Sequence, residues 1–253
     1  MRGFSARMHA RGRSVTLLLT ATIDPGATLT VARREPLLRL EDYRSALESW
    51  LSVETAPKIV FCENSGYDLA PLQRLVTPCA GREVEFISFS GNQHGATRGK
   101  GYAELGIIQH AMEKSELVSN SDIVVKCTGR LIVRNALGVL RSMASCDFDI
   151  MCTLKRNLTF ADSRLFAATP EFIRHYLLPR AGTIDENAGV HFEHALACAT
   201  ATALADRKSW RPFPIFPRME GISGSDGLVM TNSAVKSAAK RVYHQLRNFV
   251  YQH

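Results

Sequence analysis

Short apolar runs alternate with segments of helical periodicity through the first half of the chain, and this alternation constrains the fold more than any other feature. Two runs rich in β-branched residues, 15–23 and 58–62, flank a segment whose apolar residues recur at helical spacing. A third run, 84–89, precedes a helical pattern over 102–117, and a fourth covers 122–127. Strands that alternate with helices form a mostly parallel sheet covered by helices. The sequence therefore predicts an α/β domain built on a mostly parallel central sheet flanked by helices.

The second half of the chain alternates less regularly, but periodicity and the positions of proline and glycine still suggest its elements. The predicted elements are, in chain order, a helix over 135–144, strands over 149–154 and 159–168, helices over 170–178 and 188–205, an extended connector over 210–217, a loop over 221–227 and a terminal helix over 232–251. We expect one large domain, 14–231, with a basic extension before it, 1–13, and a basic amphipathic helix after it, 232–253.

The excess of positive charge predicts an anionic partner. The chain has a net charge of +7 over 253 residues and a pI near 9.3. Such a balance favours phosphate, nucleic acid or the surface of an acidic membrane. The six cysteines form no CxxC pair and fall mostly in apolar runs, which predicts reduced core residues and a cytoplasmic protein.

Both ends of the chain allow two interpretations. An arginine-rich stretch followed by the apolar run 15–23 imitates a signal peptide, but threonines interrupt the run and Asp24-Pro25 follows it, so we expect a core strand. No run approaches the ~20 apolar residues of a membrane span, which predicts a soluble or peripheral protein. The C-terminal helix either lies on the anionic inner membrane or packs on the domain with a solvated outer face.

Polar residues follow each of the first four predicted strands. They are Thr22 and Asp24, then Glu63 and Asn64, then Ser90 and Asn92, and last the segment from Lys126 to Arg130. Each set alone also suits a turn or a helix cap. Ligands of open α/β sheets bind beyond the carboxyl ends of the strands, so the four sets together indicate one binding site.

Two basic clusters around glycines indicate that this ligand is anionic. Arg98 and Lys100 flank a glycine directly before the helical pattern over 102–117, which would bring cations close to a helix N-terminus. Lys126 and Arg130 flank a Thr-Gly bend at the end of the fourth strand. Two such clusters at adjacent strand ends would suit a nucleotide diphosphate.

Six motifs are spread over the chain: LRLEDY at 38–43, FCENSGYDL at 61–69, SFSGN at 88–92, GKGYAE at 99–104, KCTGR at 126–130 and GISGS at 221–225. In their order and spacing they resemble bacterial nucleotide-sugar-dependent glycosyltransferases of lipopolysaccharide and capsular polysaccharide assembly, which have a GT-A-like, Rossmann-related fold. The resemblance implies that the first two strand ends hold the nucleoside and that the basic clusters approach the diphosphate. Together with the serines of the 221–227 loop, the expected donor-binding residues are Thr22, Asp24, Glu63, Asn64, Arg98, Lys100, Lys126, Thr128, Gly129, Arg130, Ser223 and Ser225.

The segment after the fourth strand departs from the usual GT-A pattern. Most enzymes of this type carry an Asp-x-Asp there, whose carboxylates hold Mg²⁺ or Mn²⁺ against the diphosphate. This chain has KCTGR instead. Because lysine and arginine would repel a dication, we expect cationic side chains to neutralise the leaving nucleotide, with no metal or other cofactor. An Asp-x-Asp does occur at Asp147 and Asp149, but it precedes a predicted strand, which favours a surface turn over a metal site.

Acidic residues late in the chain are the candidates for the base that takes the proton of an acceptor hydroxyl. Asp162 is predicted to lie on a strand with Arg164 on the same face. Glu186 is predicted to open a late helix. Glu193 is preferred, because the segment GVHFEH that contains it resembles the glutamate-bearing helix start of the same family. A capping or solvated helix glutamate is the alternative for Glu193.

Two further features of the late chain could bear on a ligand. The spacing of His191, Glu193 and His194 does not place all three on one face of a helix, which disfavours zinc. Ser223 and Ser225, in a loop bracketed by glycines, could form a lid whose backbone N–H groups reach phosphates, and a plain turn fits them as well.

The sequence therefore predicts a glycosyltransferase that moves a sugar from a nucleotide-sugar donor to a lipopolysaccharide, capsule or lipid-linked glycan acceptor. A nucleotidyltransferase acting on a sugar phosphate is the alternative enzyme, but that class usually needs a glycine-rich loop after the first strand and metal carboxylates. A nucleic-acid-binding protein would fit the charge, but the chain lacks aromatic residues interleaved with its basic ones.

Overall fold

The computed structural model describes residues 13–28, 31–54, 58–76, 82–144, 146–222 and 227–230. The α-helices of the described ranges are α1 (Pro36–Leu51), α2 (Ala70–Gln73), α3 (Gly95–Arg98), α4 (Lys100–Lys114), α5 (Glu116–Ser119), α6 (Ala136–Ala144), α7 (Pro170–Phe172) and α8 (Phe192–Ala205). The strands are β1 (Val15–Ala21), β2 (Lys58–Glu63), β3 (Val84–Ser88), β4 (Ile123–Thr128), β5 (Ile132–Val133), β6 (Ile150–Met151), β7 (Leu154–Lys155), β8 (Phe160–Ala161), β9 (Leu165–Ala168), β10 (Trp210–Arg211), β11 (Met219–Ile222) and β12 (Val229–Met230).

A seven-stranded sheet with the order β10-β6-β9-β4-β1-β2-β3 forms the centre of the domain. Strand β9 runs antiparallel to both of its neighbours, β4 and β6, and the other neighbouring pairs are parallel. The chain proceeds from β1 outward to β2 and β3, and then crosses to β4 on the other side of β1. The crevice between β1 and β4 is therefore the switch point of the topology, where open α/β sheets bind ligands.

Both faces of the sheet are covered, which explains why its first strands carry apolar residues on both of their sides. Leu17 and Leu19 of β1 face a core layer that contains the buried side of α1. Leu18, one residue out of phase, faces a second layer that contains α4 and α8. The thiols of Cys62 and Cys127 lie in these layers, and burial raises the pKa of each to about 12, so both are unreactive core side chains.

The four predicted strands of the first half are confirmed, and so is the helix between the first two. The predicted strand over 159–168 is wrong, because a turn at 162–164 divides it into β8 and β9. The predicted strand over 149–154 likewise becomes β6 and the start of a short hairpin, β7 with β8. The predicted helix over 188–205 begins only at Phe192, since Gly189 adopts a left-handed conformation with φ of 77°.

Some expectations concern segments outside the described ranges. They are the basic extension up to residue 12, the C-terminal helix over 232–253, and both loop serines, Ser223 and Ser225. No helix in the described ranges combines the length and the apolarity that crossing a membrane requires.

Candidate functional site

A cavity of about 190 Å³ opens at the carboxyl ends of β1 and β4, at the switch point of the sheet. Five of the residues predicted for the site line it, namely Thr22, Lys100, Thr128, Arg130 and Glu193. Other lining residues come from α1, α4 and the turn before β9, and include Arg39, Tyr43, Glu104, Ser163 and Arg164. The strand ends, the basic segments and the favoured acidic residue thus meet at one place.

A second depression of about 380 Å³ adjoins this cavity beyond the ends of β2 and β3. Asp24 and Asn64 line it, and Asn92 lines both. The Asn64 side chain is buried and its oxygen accepts a hydrogen bond from the Thr22 hydroxyl at 2.7 Å. The polar ends of the first three strands therefore form one continuous surface next to the cavity.

Glu63 supports this surface from below. It is fully buried, and its carboxylate accepts hydrogen bonds from the backbone N–H groups of Ile23 at 2.9 Å, Ser65 at 2.9 Å and Tyr67 at 3.1 Å. These bonds fix the turns after β1 and β2. Glu63 lines neither the cavity nor the depression, so it shapes the site through these turns and does not face a ligand.

Arg130 is the basic residue that the end of β4 presents to the cavity. Its Nε donates to the Ile222 carbonyl at 3.2 Å, and no described residue accepts a hydrogen bond from its two terminal nitrogens. Burial lowers the pKa of Arg130, and the neighbouring Arg39 lowers it further. Gly129 lies behind it and donates its N–H to the Thr20 carbonyl at 2.8 Å, so this amide joins β4 to β1 and is not open to a phosphate.

The basic cluster before α4 is arranged differently from the prediction. Lys100 lines the cavity, but Arg98 donates to the Gly182 carbonyl at 2.7 Å and stacks over the Tyr102 ring at 4.3 Å. Arg98 therefore holds the segment before α8 and does not line the cavity.

The N-terminus of α4 is also occupied by the protein itself. The carboxylate of Glu186 accepts a hydrogen bond from the Gly101 N–H at 2.9 Å, the interaction that a helix N-terminus offers to an anion. Gly99 has a φ of 92°, and a Cβ on it would lie 2.6 Å from the Glu186 Cβ. Glu186 thus closes the helix end that the sequence had assigned to phosphate, and it does not begin the late helix.

Lys126 lies beneath the cavity floor and not at its surface. Its ammonium group is fully buried, forms an ion pair with Glu104 at 2.5 Å, and donates to the Ser163 carbonyl at 2.7 Å and the Thr128 hydroxyl at 3.2 Å. A buried ammonium group needs such partners, because an unpaired charge is costly away from water. The prediction that Lys126 reaches the ligand directly is therefore not supported by its position.

Two arginines in the cavity were not predicted. Arg39 of α1 is 5% exposed and donates from Nε to the Thr22 carbonyl at 2.8 Å, which fixes the loop after β1. Arg164 forms a two-point ion pair with Asp162, with Nε to Oδ1 at 2.8 Å and Nη2 to Oδ2 at 2.6 Å. Arg39 belongs to the LRLEDY motif, and Arg164 lies two residues after Asp162. The sequence around each arginine contains no pattern that would place its side chain in the cavity.

The two catalytic candidates differ in position. Asp162 is 5% exposed, is also bound by Lys155 at 2.8 Å, and does not line the cavity. Although burial opposes ionisation, Arg164 and Lys155 hold the pKa of Asp162 well below its usual range. Glu193, at the start of α8, does line the cavity, and its Oε1 accepts a hydrogen bond from the Ser163 hydroxyl at 2.9 Å. The favoured base candidate is therefore held in an orientation set by Ser163.

Within the described ranges, no three His, Cys, Asp or Glu side chains are grouped as metal ligands. The exposed Asp147 pairs with Arg13, and Asp149 accepts hydrogen bonds from the Ser209 N–H and hydroxyl. The His194 ring nitrogen accepts from the His191 N–H at 3.1 Å and so caps α8. These residues all have structural partners in the fold.

Comparison with protein-family models and with curated protein sequences gave no match. Among solved structures, the chain is similar to the inositol-1-phosphate CTP transferase from T. maritima, with a TM-score of 0.52 and 13% identity over 92% of this chain and 97% of that one. It is also similar to core-mannan synthase A from Aspergillus fumigatus in a Mn/GDP form, with a TM-score of 0.50 and 8% identity over 81% and 73% of the two chains. The predicted GT-A-like α/β fold is confirmed, and identities this low show the fold alone.

Proposed function

We propose that this protein is a glycosyltransferase that moves a sugar from a nucleoside diphosphate sugar to a glycan acceptor. The observation that carries the proposal is the cavity at the β1/β4 switch point, where Lys100 and Arg130 share one space with the carboxylate of Glu193. Glycosyl transfer needs a stabilised leaving diphosphate on one side and, where configuration inverts, a proton acceptor on the other. The cavity offers cations for the diphosphate, Lys100 and Arg130, and a carboxylate for the proton, Glu193.

The balance of charge in the cavity favours a phosphate-bearing ligand without a divalent ion. Four basic side chains and two carboxylates line it among the described residues, namely Arg39, Lys100, Arg130, Arg164, Glu104 and Glu193. Glu104 forms an ion pair with Lys126 and Arg164 forms one with Asp162, and since these two partners carry opposite charges the excess of cations is unchanged. A diphosphate gains attraction from this excess of cations, whereas a dication would be repelled by it. Metal independence is therefore part of the proposal.

Each residue would have a separate part in transfer. The terminal nitrogens of Arg130, with Lys100, would bind the diphosphate as its charge grows on departure of the sugar. Glu193 would take the proton of the acceptor hydroxyl, and the hydrogen bond from Ser163 would keep its carboxylate oriented. Asp24 and Asn64, in the adjoining depression, would contact the nucleoside.

The acceptor is proposed from the sequence resemblance. A lipopolysaccharide, capsule or lipid-linked glycan at the cytoplasmic face of the inner membrane fits that resemblance and the basic charge. A nucleotidyltransferase acting on a sugar phosphate is the second candidate, since the fold is shared with a CTP transferase. The product separates the two, because a glycosyltransferase releases a nucleoside diphosphate and a nucleotidyltransferase releases pyrophosphate.

The proposal can be tested by thermal shift with nucleoside diphosphates, monophosphates and nucleotide sugars in EDTA. We expect selective stabilisation by one nucleoside diphosphate and its sugars. Arg130→Gln should weaken that binding at least tenfold, which is ~1.4 kcal/mol. The matched control Arg141→Gln removes the same charge from an exposed position on α6 and should bind as wild type does. Equal losses in both variants, or no stabilisation by any nucleotide, would contradict the proposal.

A further inference from the structure

Glu104 is a cavity residue to which neither the sequence nor the proposed reaction gives a part. It lies on α4, its side chain is 23% exposed, and it lines the cavity beside Ala103 and Ile107. One carboxylate oxygen, Oε1, accepts three hydrogen bonds, from Lys126 Nζ at 2.5 Å, Thr20 Oγ1 at 3.0 Å and Thr128 Oγ1 at 3.2 Å. The donors come from β1 and β4, so the carboxylate is fixed to the centre of the sheet.

The other oxygen, Oε2, has a different environment. No described residue donates a hydrogen bond to it, and it is not among the buried polar atoms of the described ranges that lack a partner. Because the side chain is partly exposed and lines the cavity, Oε2 faces the cavity. An ionised carboxylate only accepts hydrogen bonds, so Oε2 requires a donor from the ligand or from water.

The charge of Glu104 is maintained by its neighbours. Burial alone would raise the pKa of Glu104, but Lys126, the Thr20 hydroxyl and Arg130 together lower it below its usual value. The residue therefore stays anionic at neutral pH and repels phosphate and carboxylate groups. Lys100 and Arg130 therefore form an anion-binding part of the cavity. Glu104 forms a second part, which accepts hydrogen bonds from hydroxyl groups.

We propose that Oε2 of Glu104 accepts hydrogen bonds from hydroxyl groups of the transferred sugar, and that the donor sugar is uncharged or an amino sugar and not an acidic one. This inference rests on the proposed function and deepens it. Neighbouring hydroxyls are the donors that a carbohydrate offers, and a single monosaccharide suits a cavity of about 190 Å³. A uronic or sialic acid would place a second carboxylate against Glu104. Lys126 acts through Glu104 as a positioning residue.

The test compares affinities for a nucleoside diphosphate with and without its sugar, by isothermal titration calorimetry in EDTA. The probes are UDP, UDP-glucose and UDP-glucuronate, with GDP and GDP-mannose as a second series. Wild-type protein should bind the neutral sugar nucleotide at least tenfold more tightly than the glucuronate. For each series we take the ratio of the Kd of the nucleoside diphosphate to the Kd of the neutral sugar nucleotide. In Glu104→Gln this ratio should fall at least tenfold. Glu113→Gln, on the exposed side of the same helix, is the control and should keep the wild-type ratio.

Glu104→Gln leaves Lys126 buried without its counter-ion, so the variant could fail to fold. The double variant Glu104→Gln/Lys126→Met removes both charges and should show the same fall in the ratio. An unchanged ratio in the folded variant, or equal affinity for UDP-glucose and UDP-glucuronate, would overturn the inference while the proposed function stands. If no nucleoside diphosphate binds the wild-type protein, the proposed function itself fails.

Discussion

We predict that Lys126→Met strongly destabilises the fold. The ammonium group of Lys126 is fully buried and bound to three oxygens, of which Glu104 supplies the one at 2.5 Å. Methionine fills a similar volume but leaves the Glu104 carboxylate without its counter-ion. Removing one partner of a buried ion pair lowers the free energy of unfolding by ~3–5 kcal/mol. Because Glu104 is 23% exposed, water relieves part of this penalty, and we expect a loss of about 3 kcal/mol.

The loss can be measured as the melting temperature followed by circular dichroism. For a chain of this size, 1 kcal/mol shifts the melting temperature by ~2–4 °C, so Lys126→Met should melt ~6–12 °C below wild type. The control is Lys58→Met. Lys58 forms an ion pair of similar length with Glu83, at 2.7 Å, but its side chain is 51% exposed. Exposed pairs contribute ~0–1 kcal/mol, so the control should lose less than ~4 °C. If Lys126→Met melts no lower than Lys58→Met, the reasoning about the buried pair is refuted.

Three further predictions follow from the site and the fold. Glu193→Gln should lower turnover by about 10²–10⁴-fold in a transfer assay, because a general base contributes that factor, and activity close to wild type would eliminate it as the base. The folded pKa of Asp162 is depressed, so the stability it contributes is present above the unfolded pKa of ~3.9 and is lost as pH falls below it. The urea concentration at the midpoint of unfolding should fall less steeply for Asp162→Asn than for wild type as the pH is lowered from about 5 to 3. The same fall in both proteins would contradict this prediction. Leu158 has a φ of 67°, so Leu158→Gly should have a free energy of unfolding roughly 1 kcal/mol above that of Leu158→Ala. Urea unfolding measures the difference, and the opposite order of stability would contradict the prediction.

Much of the fold could be predicted because its first half repeats a simple pattern. Runs such as 15–23, which are apolar apart from three threonines, are typical of strands that are covered on both faces, and that condition indicates a central parallel strand. The turn at 162–164 was missed because the apolar residues on both sides of it were assigned to one strand, although three consecutive polar residues, Asp-Ser-Arg, interrupt the alternation there. Asp162 and Arg164 were predicted to lie on one face of a strand, and in the structure they form an ion pair within this turn.

The site was harder to predict, because its chemistry depends on contacts between distant residues. Lys126 has the same charge as Arg130, and only the direction of its side chain from β4, toward Glu104, decides that it is an interior cation. Glu186 approaches Gly101 from 85 positions away along the chain, and no local pattern reports that contact. The charge of a residue can be read from the sequence, whereas its partner is set by the packing of the helices on the sheet.

The central claim is that cationic side chains at the β1/β4 switch point bind the diphosphate of a nucleotide-sugar donor without a divalent ion. Isothermal titration calorimetry of the nucleoside diphosphate that stabilises the protein, in EDTA and then with Mn²⁺ added, tests it most directly. The account predicts the same affinity in both, within about threefold, and its loss in Arg130→Gln. Binding that disappears in EDTA and returns with Mn²⁺ would contradict it.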